Sequence, residues 1–162
     1  MEDFTEDITS EEGMKILVFL CGDQEYALPI ELAREVVGMM PIDKFPQTPD
    51  YIEGMMNLRG KIVPVMNLRT KLGVEKIEEN AENCIVVVNL NGEQTGVIVD
   101  FLVGVSVIDQ NDLEESPDLG DHIHNNYVKS IAKLEKRVIL IIDAKSLLAY
   151  DRTEETAKGI VS

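Results

Sequence analysis

Basic residues are scarce in this sequence, with 15 lysines and arginines against 30 aspartates and glutamates and a formal net charge of −15. A chain of this charge lacks the positive surface that nucleic-acid binding needs, and an anionic membrane surface would repel it. No apolar run approaches the ~18–20 residues that cross a bilayer, so we expect no membrane insertion. We therefore expect the partners of this protein to be other proteins.

Cysteine is also rare, with only Cys21 and Cys84, each inside an apolar run. We expect both to be reduced, buried thiols, because no metal ligand or second thiol is close in sequence. The first twelve residues carry six acids and no base, which is the reverse of a signal peptide. We therefore expect a cytoplasmic protein with a disordered acidic arm over residues 1–13.

Enzyme motifs are missing as well: the sequence contains no Walker loop, no G-x-G-x-x-G and no G-x-S-x-G. His122 and His124, with Asp121 beside them, could hold a metal ion. They lie in a stretch rich in Gly, Asn and Asp, and a structural zinc site wants four converging ligands, so a solvated loop is the favoured interpretation. We predict a protein that is not an enzyme and that binds neither a cofactor nor a metal.

The sequence does contain many short runs rich in Val and Ile, separated by turn residues. The strongest hairpin signal is Asn91-Gly92, which favours a type I′ turn between two such runs. Helical pattern is limited to Thr48–Met55, where Thr48 caps and Pro49 opens the first turn, and to short segments that begin at Asn67 and Asp143. The expected fold is mostly β and built from hairpins.

The runs also recur along the chain. A shift of 69 residues sets Ala27 on Gly96, and a shift of 76 sets Leu58 on Leu134. The repeated unit is a hairpin, a strand, a polar loop, a strand pair and a short helix. Two such units predict two small barrels, over residues 14–80 and 81–150, followed by a polar tail over residues 151–162. The alternative is that similar strand composition imitates a repeat.

One motif is specific enough to indicate a family. The stretch NLRGKIVPVMNLR resembles the signature of the CheW family of chemotaxis adaptor proteins. The positions that fill the pattern are Asn57, Leu58, Arg59, Gly60, Ile62, Pro64, Val65, Asn67, Leu68 and Arg69. The preceding segment also fits, with Thr48, Pro49, Ile52 and Gly54 in place. The similarity extends from Met14 to Tyr150.

The resemblance implies two intertwined SH3-like barrels of five strands with short connecting helices. It also implies a non-enzymatic coupler between chemoreceptors (methyl-accepting chemotaxis proteins) and the histidine kinase CheA, recruited to membrane-associated arrays and monomeric when isolated. The implied contacts with the regulatory domain of CheA are Ala33, Glu35 and Val36, with Asp118 and Leu119 as a less secure second contact. The implied contacts with the cytoplasmic tip of the receptor are Asn57, Arg59, Ile30 and Ile85.

Each of these residues also has a plainer interpretation. Val36 and Ile85 are apolar strand residues that could belong to the core, and Glu35 could be a solvated charge. Arg59 precedes the turn glycine Gly60, where an exposed guanidinium can fork onto a partner's carboxylate. The alternative is that the motif is a well-formed hairpin without a partner. Two other functions stay open: an adaptor in a non-chemotactic kinase pathway, and a ligand- or metal-binding β-barrel.

Overall fold

The computed structural model describes residues 13–115 and 127–149. Its strands are β1 Met14–Cys21, β2 Gln24–Pro29, β3 Ala33–Gly38, β4 Ile52–Leu58, β5 Lys61–Asn67, β6 Cys84–Leu90, β7 Glu93–Val99, β8 Phe101–Ile108, β9 Leu113–Glu115, β10 Val128–Leu134 and β11 Arg137–Ile142. Two α-helices, α1 Leu68–Leu72 and α2 Ala144–Leu148, and two 3-10 turns, Ile30–Leu32 and Gln110–Asp112, complete the described part. The predicted mostly β fold is confirmed.

Several expectations fall outside the described residues. They concern Asp118, Leu119, His122 and His124, residues 1–12 of the acidic arm, and the tail over residues 151–162.

The strands form two sheets. The first sheet has the order β8-β1-β2-β11-β10-β9, and the second has the order β3-β6-β7-β5-β4. Neighbouring strands are antiparallel except for β11 with β2 and β5 with β7, which are parallel. The short strand β9 gives the first sheet a sixth member, whereas five strands were expected in each barrel.

The strands recur in the order that the sequence comparison predicts. A shift of 69 residues carries β1, β2 and β3 onto β6, β7 and β8, and a shift of 76 carries β4, β5 and α1 onto β10, β11 and α2. Corresponding residues occupy the same rungs of the ladders, since Val65 pairs with Gly96 and Ile141 pairs with Ala27. The internal repeat is confirmed.

The two repeats exchange strands. The first sheet joins the β1–β2 hairpin to β8, β10 and β11 from the second repeat, and the second sheet joins the β6–β7 hairpin to β3, β4 and β5 from the first. The division between residues 80 and 81 therefore separates the two sequence repeats but does not separate the two sheets. Each sheet needs both halves of the chain in order to form.

Local chemistry explains the helices and the turns. Asn67 caps α1 by accepting from the backbone N–H of Arg69 at 3.0 Å, and Gly73 ends the helix at a φ of 79°. The hairpin turn at Asn91 and Gly92 has the predicted positive φ angles, 55° and 86°.

The predicted helical piece at Thr48–Met55 is wrong. The N–H of Ile52 donates to the carbonyl of Pro49 at 3.0 Å in a single turn, and β4 then begins at Ile52. Residues of β4 alternate between more and less buried positions, and that burial outweighs the local capping signal.

Three buried clusters hold the fold together. The largest contains residues of both sheets, such as Phe19 and Leu28 from the first and Val86 and Met66 from the second, so it joins the two sheets. The two smaller clusters each belong to one sheet.

The two cysteines differ in burial. Cys21 lies in the largest cluster, and burial, together with the nearby charge of Asp100, raises the pKa of its thiol to about 12. Cys84 is only half-buried, which departs from the expectation that both thiols are buried.

Candidate docking surface

An ion pair connects the two edges of the second sheet. β3 and β4 are the opposite edges of this sheet, yet the guanidinium of Arg59, in the turn after β4, donates to the carboxylate of Glu35 on β3. The Arg59 side chain is 67% exposed and that of Glu35 is 29% exposed, so the pair lies at the protein surface. Residues that the family resemblance assigns to two different partners are therefore in direct contact.

The turn that carries Arg59 is a two-residue loop. Arg59 and Gly60 have φ angles of 52° and 88°, and Gly60 donates its backbone N–H to the Asn57 side chain at 2.7 Å. A positive φ favours glycine or asparagine over arginine. The corresponding residues of the β6–β7 and β10–β11 turns are Asn91 and Glu135, both at a φ of 55°, so this turn position accepts arginine but does not require it. What distinguishes Arg59 is the contact of its side chain with Glu35.

The kinase-facing prediction for β3 is altered by a β-bulge. Strict alternation predicts Ala33 and Glu35 on one face and Arg34 and Val36 on the other. The register with β6 instead shifts between Ala33 and Glu35, and both Ala33 and Val36 pack partly against the largest cluster. The predicted alternation is wrong at this point, and Arg34 and Glu35 are the β3 residues that offer charge to a partner.

Two receptor-facing predictions depend on burial. Ile85 is 0% exposed, because its side chain packs in the core cluster of the second sheet with Met56 and Val65. A contact between Ile85 and a partner is therefore wrong, and the core alternative is correct. Ile30 is half-buried in the turn before β3 and packs against the largest cluster, so it offers only part of its side chain.

An apolar stripe on β8 was missed in the sequence. Phe101, Val103, Val105 and Val107 are between 41% and 54% exposed, and we call them the β8 stripe. They supply half of the exposed large hydrophobic side chains among the described residues, and clustered exposure of this kind marks interaction surfaces. The alternation in FLVGVSVI was visible, but alternation does not say which face points outwards.

A second charged cluster joins the two sheets. Arg69 of α1 contacts both carboxylate oxygens of Asp100, through Nε at 3.0 Å and Nη2 at 2.8 Å. Asp100 also accepts from the backbone N–H of Gly22 in the β1–β2 turn at 2.8 Å. The hydrogen bonds to Asp100 raise the pKa of Arg69, and the two side chains are only 15% and 20% exposed. The second arginine of the motif is thus occupied within the fold.

Among the described residues, no group of three or more His, Cys, Asp or Glu side chains could hold a metal ion. Over the same ranges, no helix has the length and the apolar character that a membrane span requires.

The structure defines a mostly β domain of two strand-exchanged sheets with an exposed apolar stripe, and comparison with known proteins identifies its family. A family model described as a CheW-like domain matches residues 15–152. The chain belongs to the CheW family.

Individual relatives agree with this assignment. The chemotaxis protein CheW of Helicobacter pylori is 33% identical over 143 residues, covering 88% of this chain and 86% of the relative. The chemotaxis protein CheW of Rhizobium meliloti is 25% identical over 142 residues, covering 88% and 92%. The crystal structure of the scaffolding protein TtCheW from Thermoanaerobacter tengcongensis matches with a TM-score of 0.80 and 37% identity, covering 86% of this chain and 94% of that one. The chain is accordingly a scaffold-type chemotaxis protein and not an enzyme.

Proposed function

We propose that this protein couples the cytoplasmic tips of chemoreceptors to the histidine kinase CheA, and that it works at membrane-associated arrays. The observation that carries the proposal is the contact between Glu35 and Arg59. It brings the strand expected to meet the regulatory domain of CheA against the turn expected to meet the receptor. Ala33, Val36 and Asn57 flank the pair along the same strand and turn.

Such a coupler needs no chemistry of its own. A partner carboxylate that engages Arg59 competes with Glu35 for the guanidinium. The kinase then meets β3 with Glu35 either bound to Arg59 or free of it. The two arrangements are the paired and the unpaired state of Glu35 and Arg59. Binding of the receptor changes the affinity for the kinase only to the extent that each partner prefers one of these states.

The β8 stripe supplies the apolar part of the receptor contact in this proposal. A helical hairpin tip presents apolar residues at helical spacing, and such a helix binds by laying its apolar face on exposed hydrophobic surface. Because the stripe carries no charge, it offers area and affinity. The charged turn at Arg59 offers selectivity.

The direct test is to mix the purified protein with a CheA regulatory domain and a receptor tip fragment and to measure complexes by analytical ultracentrifugation. We expect a ternary complex that requires this protein. Binding to neither fragment would refute the coupling role while leaving the fold assignment intact. Binding to a kinase domain alone would point to an adaptor that serves a different kind of receptor.

A further inference from the structure

Strand β8 is an edge of the first sheet. It pairs only with β1, so its outer edge has no strand partner among the described residues. Its eight residues, Phe101–Ile108, contain no charged side chain and no proline. Proteins commonly protect an open edge with lysine, proline, an inward-pointing charge or a β-bulge, because an unprotected edge pairs with other strands. Of these protections, β8 has only a bulge.

The bulge of β8 lies at Val103, where the register with β1 shifts by one residue. The segment Gly104–Ile108 then pairs with β1 without interruption. Val105 and Val107 point to the same side of this regular segment and are 54% and 53% exposed. Beyond the bulge, the first sheet therefore ends in a regular open edge with two exposed valines.

The other three edge strands of the described sheets all carry charged side chains. These are Arg34 and Glu35 on β3, Glu53 on β4, and Glu114 and Glu115 on β9. Pairing β4 or β9 with the same strand of another copy would bring carboxylates together, in a chain whose net charge is already −15. Among these edges, β8 alone can meet a copy of itself without such a penalty.

The charges next to β8 lie at its ends and on its neighbouring strand. Asp100, before the strand, is paired with Arg69. Asp109, after the strand, caps the 3-10 turn Gln110–Asp112. Lys15 lies beside β8 on β1. The outer edge of the regular segment therefore faces solvent with no charge of its own.

We propose that two copies of this chain associate by pairing their β8 strands edge to edge, antiparallel, about a two-fold axis at Ser106. This register sets Val105 of one copy opposite Val107 of the other, on the same face of the joined sheet. It also sets Asp109 opposite Val103, so no carboxylate meets another within the paired segment. A second copy suits this edge because a two-fold contact uses the same surface in both partners, and this surface is uncharged.

The association is expected to be weak. A contact between two strands buries less area than a permanent dimer needs, and the net charge of −15 makes two copies repel each other. Salt screens this repulsion, so it should strengthen the association. The inference departs from the monomer that the family resemblance implies, and it does not depend on the coupling role. If a receptor tip binds the β8 stripe as proposed above, the tip and a second copy compete for it.

The test is sedimentation velocity of the full chain at rising concentration, in low and in high salt, without receptor or kinase fragments. We expect a shift from monomer towards dimer as the concentration rises, and a larger shift in high salt. Val107→Lys places a charge in the paired segment and should keep the chain monomeric. The matched control is Val138→Lys, at an exposed valine of β11 in the interior of the same sheet. It changes the net charge equally and should associate as the wild type does.

Isotope-filtered NMR on a mixture of differently labelled wild-type copies locates the contact without any substitution. We expect nuclear Overhauser contacts between the Val105 methyls of one copy and the Val107 methyls of the other. A monomer at every concentration, an association that salt weakens, or a Val107→Lys variant that dimerises like the wild type would each overturn the proposal. Because no partner fragment is present, these outcomes leave the coupling role untouched.

Discussion

The edge strands β3 and β8 hold equivalent places in the two repeats, yet they present different surfaces. On β3, Glu35 binds Arg59 and ties the edge to the opposite side of its sheet. The residue equivalent to Glu35 on β8 is Gly104, and the residue equivalent to Arg59 is Glu135, so no such pair can form. The two repeats thus share a backbone arrangement, but the β3 edge carries an ion pair and the β8 edge is apolar. The repeats differ in the side chains of their edge strands and not in the arrangement of their strands.

The charged contacts between the sheets also differ between the two repeats, and this difference predicts the largest change in stability. Arg69 is paired and largely buried, whereas its counterpart Lys145 is exposed and has no ion pair within the described part of the chain. Arg69→Ala leaves Asp100 without its partner and should lower the free energy of unfolding by about 2–4 kcal/mol. Lys145→Ala should change it by less than about 0.5 kcal/mol. Urea denaturation of both variants measures this, and equal losses would contradict the asymmetry.

Reversing the charge at position 59 tests the closed edge. Arg59→Glu places two carboxylates together and removes the guanidinium offered to the receptor, so we expect receptor-tip affinity to fall by at least about tenfold. The counterpart variant Glu135→Arg should leave that affinity unchanged. Isothermal titration with a tip fragment distinguishes the two.

A charge swap separates the two roles of the pair. The double variant Glu35→Arg with Arg59→Glu restores an ion pair of reversed polarity. If the fold alone needs the pair, receptor binding returns to the wild-type value. If the receptor tip contacts the guanidinium at position 59 directly, its affinity for the double variant stays low.

Glu35→Lys tests the kinase side of the same pair. A lysine here repels Arg59 and removes the carboxylate, and we expect affinity for the CheA regulatory domain to fall by about tenfold. Glu93→Lys is the matched control, since it makes the same charge change at an exposed residue of β7 that lies outside the pair. Unchanged titration calorimetry for Glu35→Lys would remove Glu35 from the kinase contact.

The open edge is tested by making it polar. Val105→Ser removes apolar area from the centre of the β8 stripe without touching the core, so stability should stay within about 0.5 kcal/mol of wild type. Receptor-tip affinity should fall by a few-fold, because the lost contact is apolar and partial. Val138→Ser, at an exposed valine outside the stripe, is the matched control. An equal effect of both would deny the stripe a special role.

Much of the fold could be predicted because local patterns determine it. Alternation and turn residues gave the strands, the Asn91 turn and the caps at Asn67 and Asp143, and the repeat gave their order. The exchange of strands between sheets could not be derived from any local pattern, since the sequence of a strand does not determine which strand it pairs with. The burial of Ile85 likewise depends on its packing against residues of β4 and β5 that are distant in sequence. The family motif pointed to Arg59, but its contact with Glu35 spans 24 residues and needs the barrel to close.

The smallest expected effect isolates what arginine contributes at position 59. Asparagine suits a positive φ better, which is worth about 1 kcal/mol, while an exposed ion pair contributes about 0–1 kcal/mol. These terms oppose each other in Arg59→Asn, so the unfolding midpoint should hardly move. In the control Asn91→Arg, the turn loses its preferred residue and no described carboxylate is paired with position 91, so stability should fall by about 1 kcal/mol. An unchanged midpoint would show that the fold does not need arginine at position 59, which is what the proposed receptor contact predicts. A large loss of stability in Arg59→Asn would instead make the pair with Glu35 its reason.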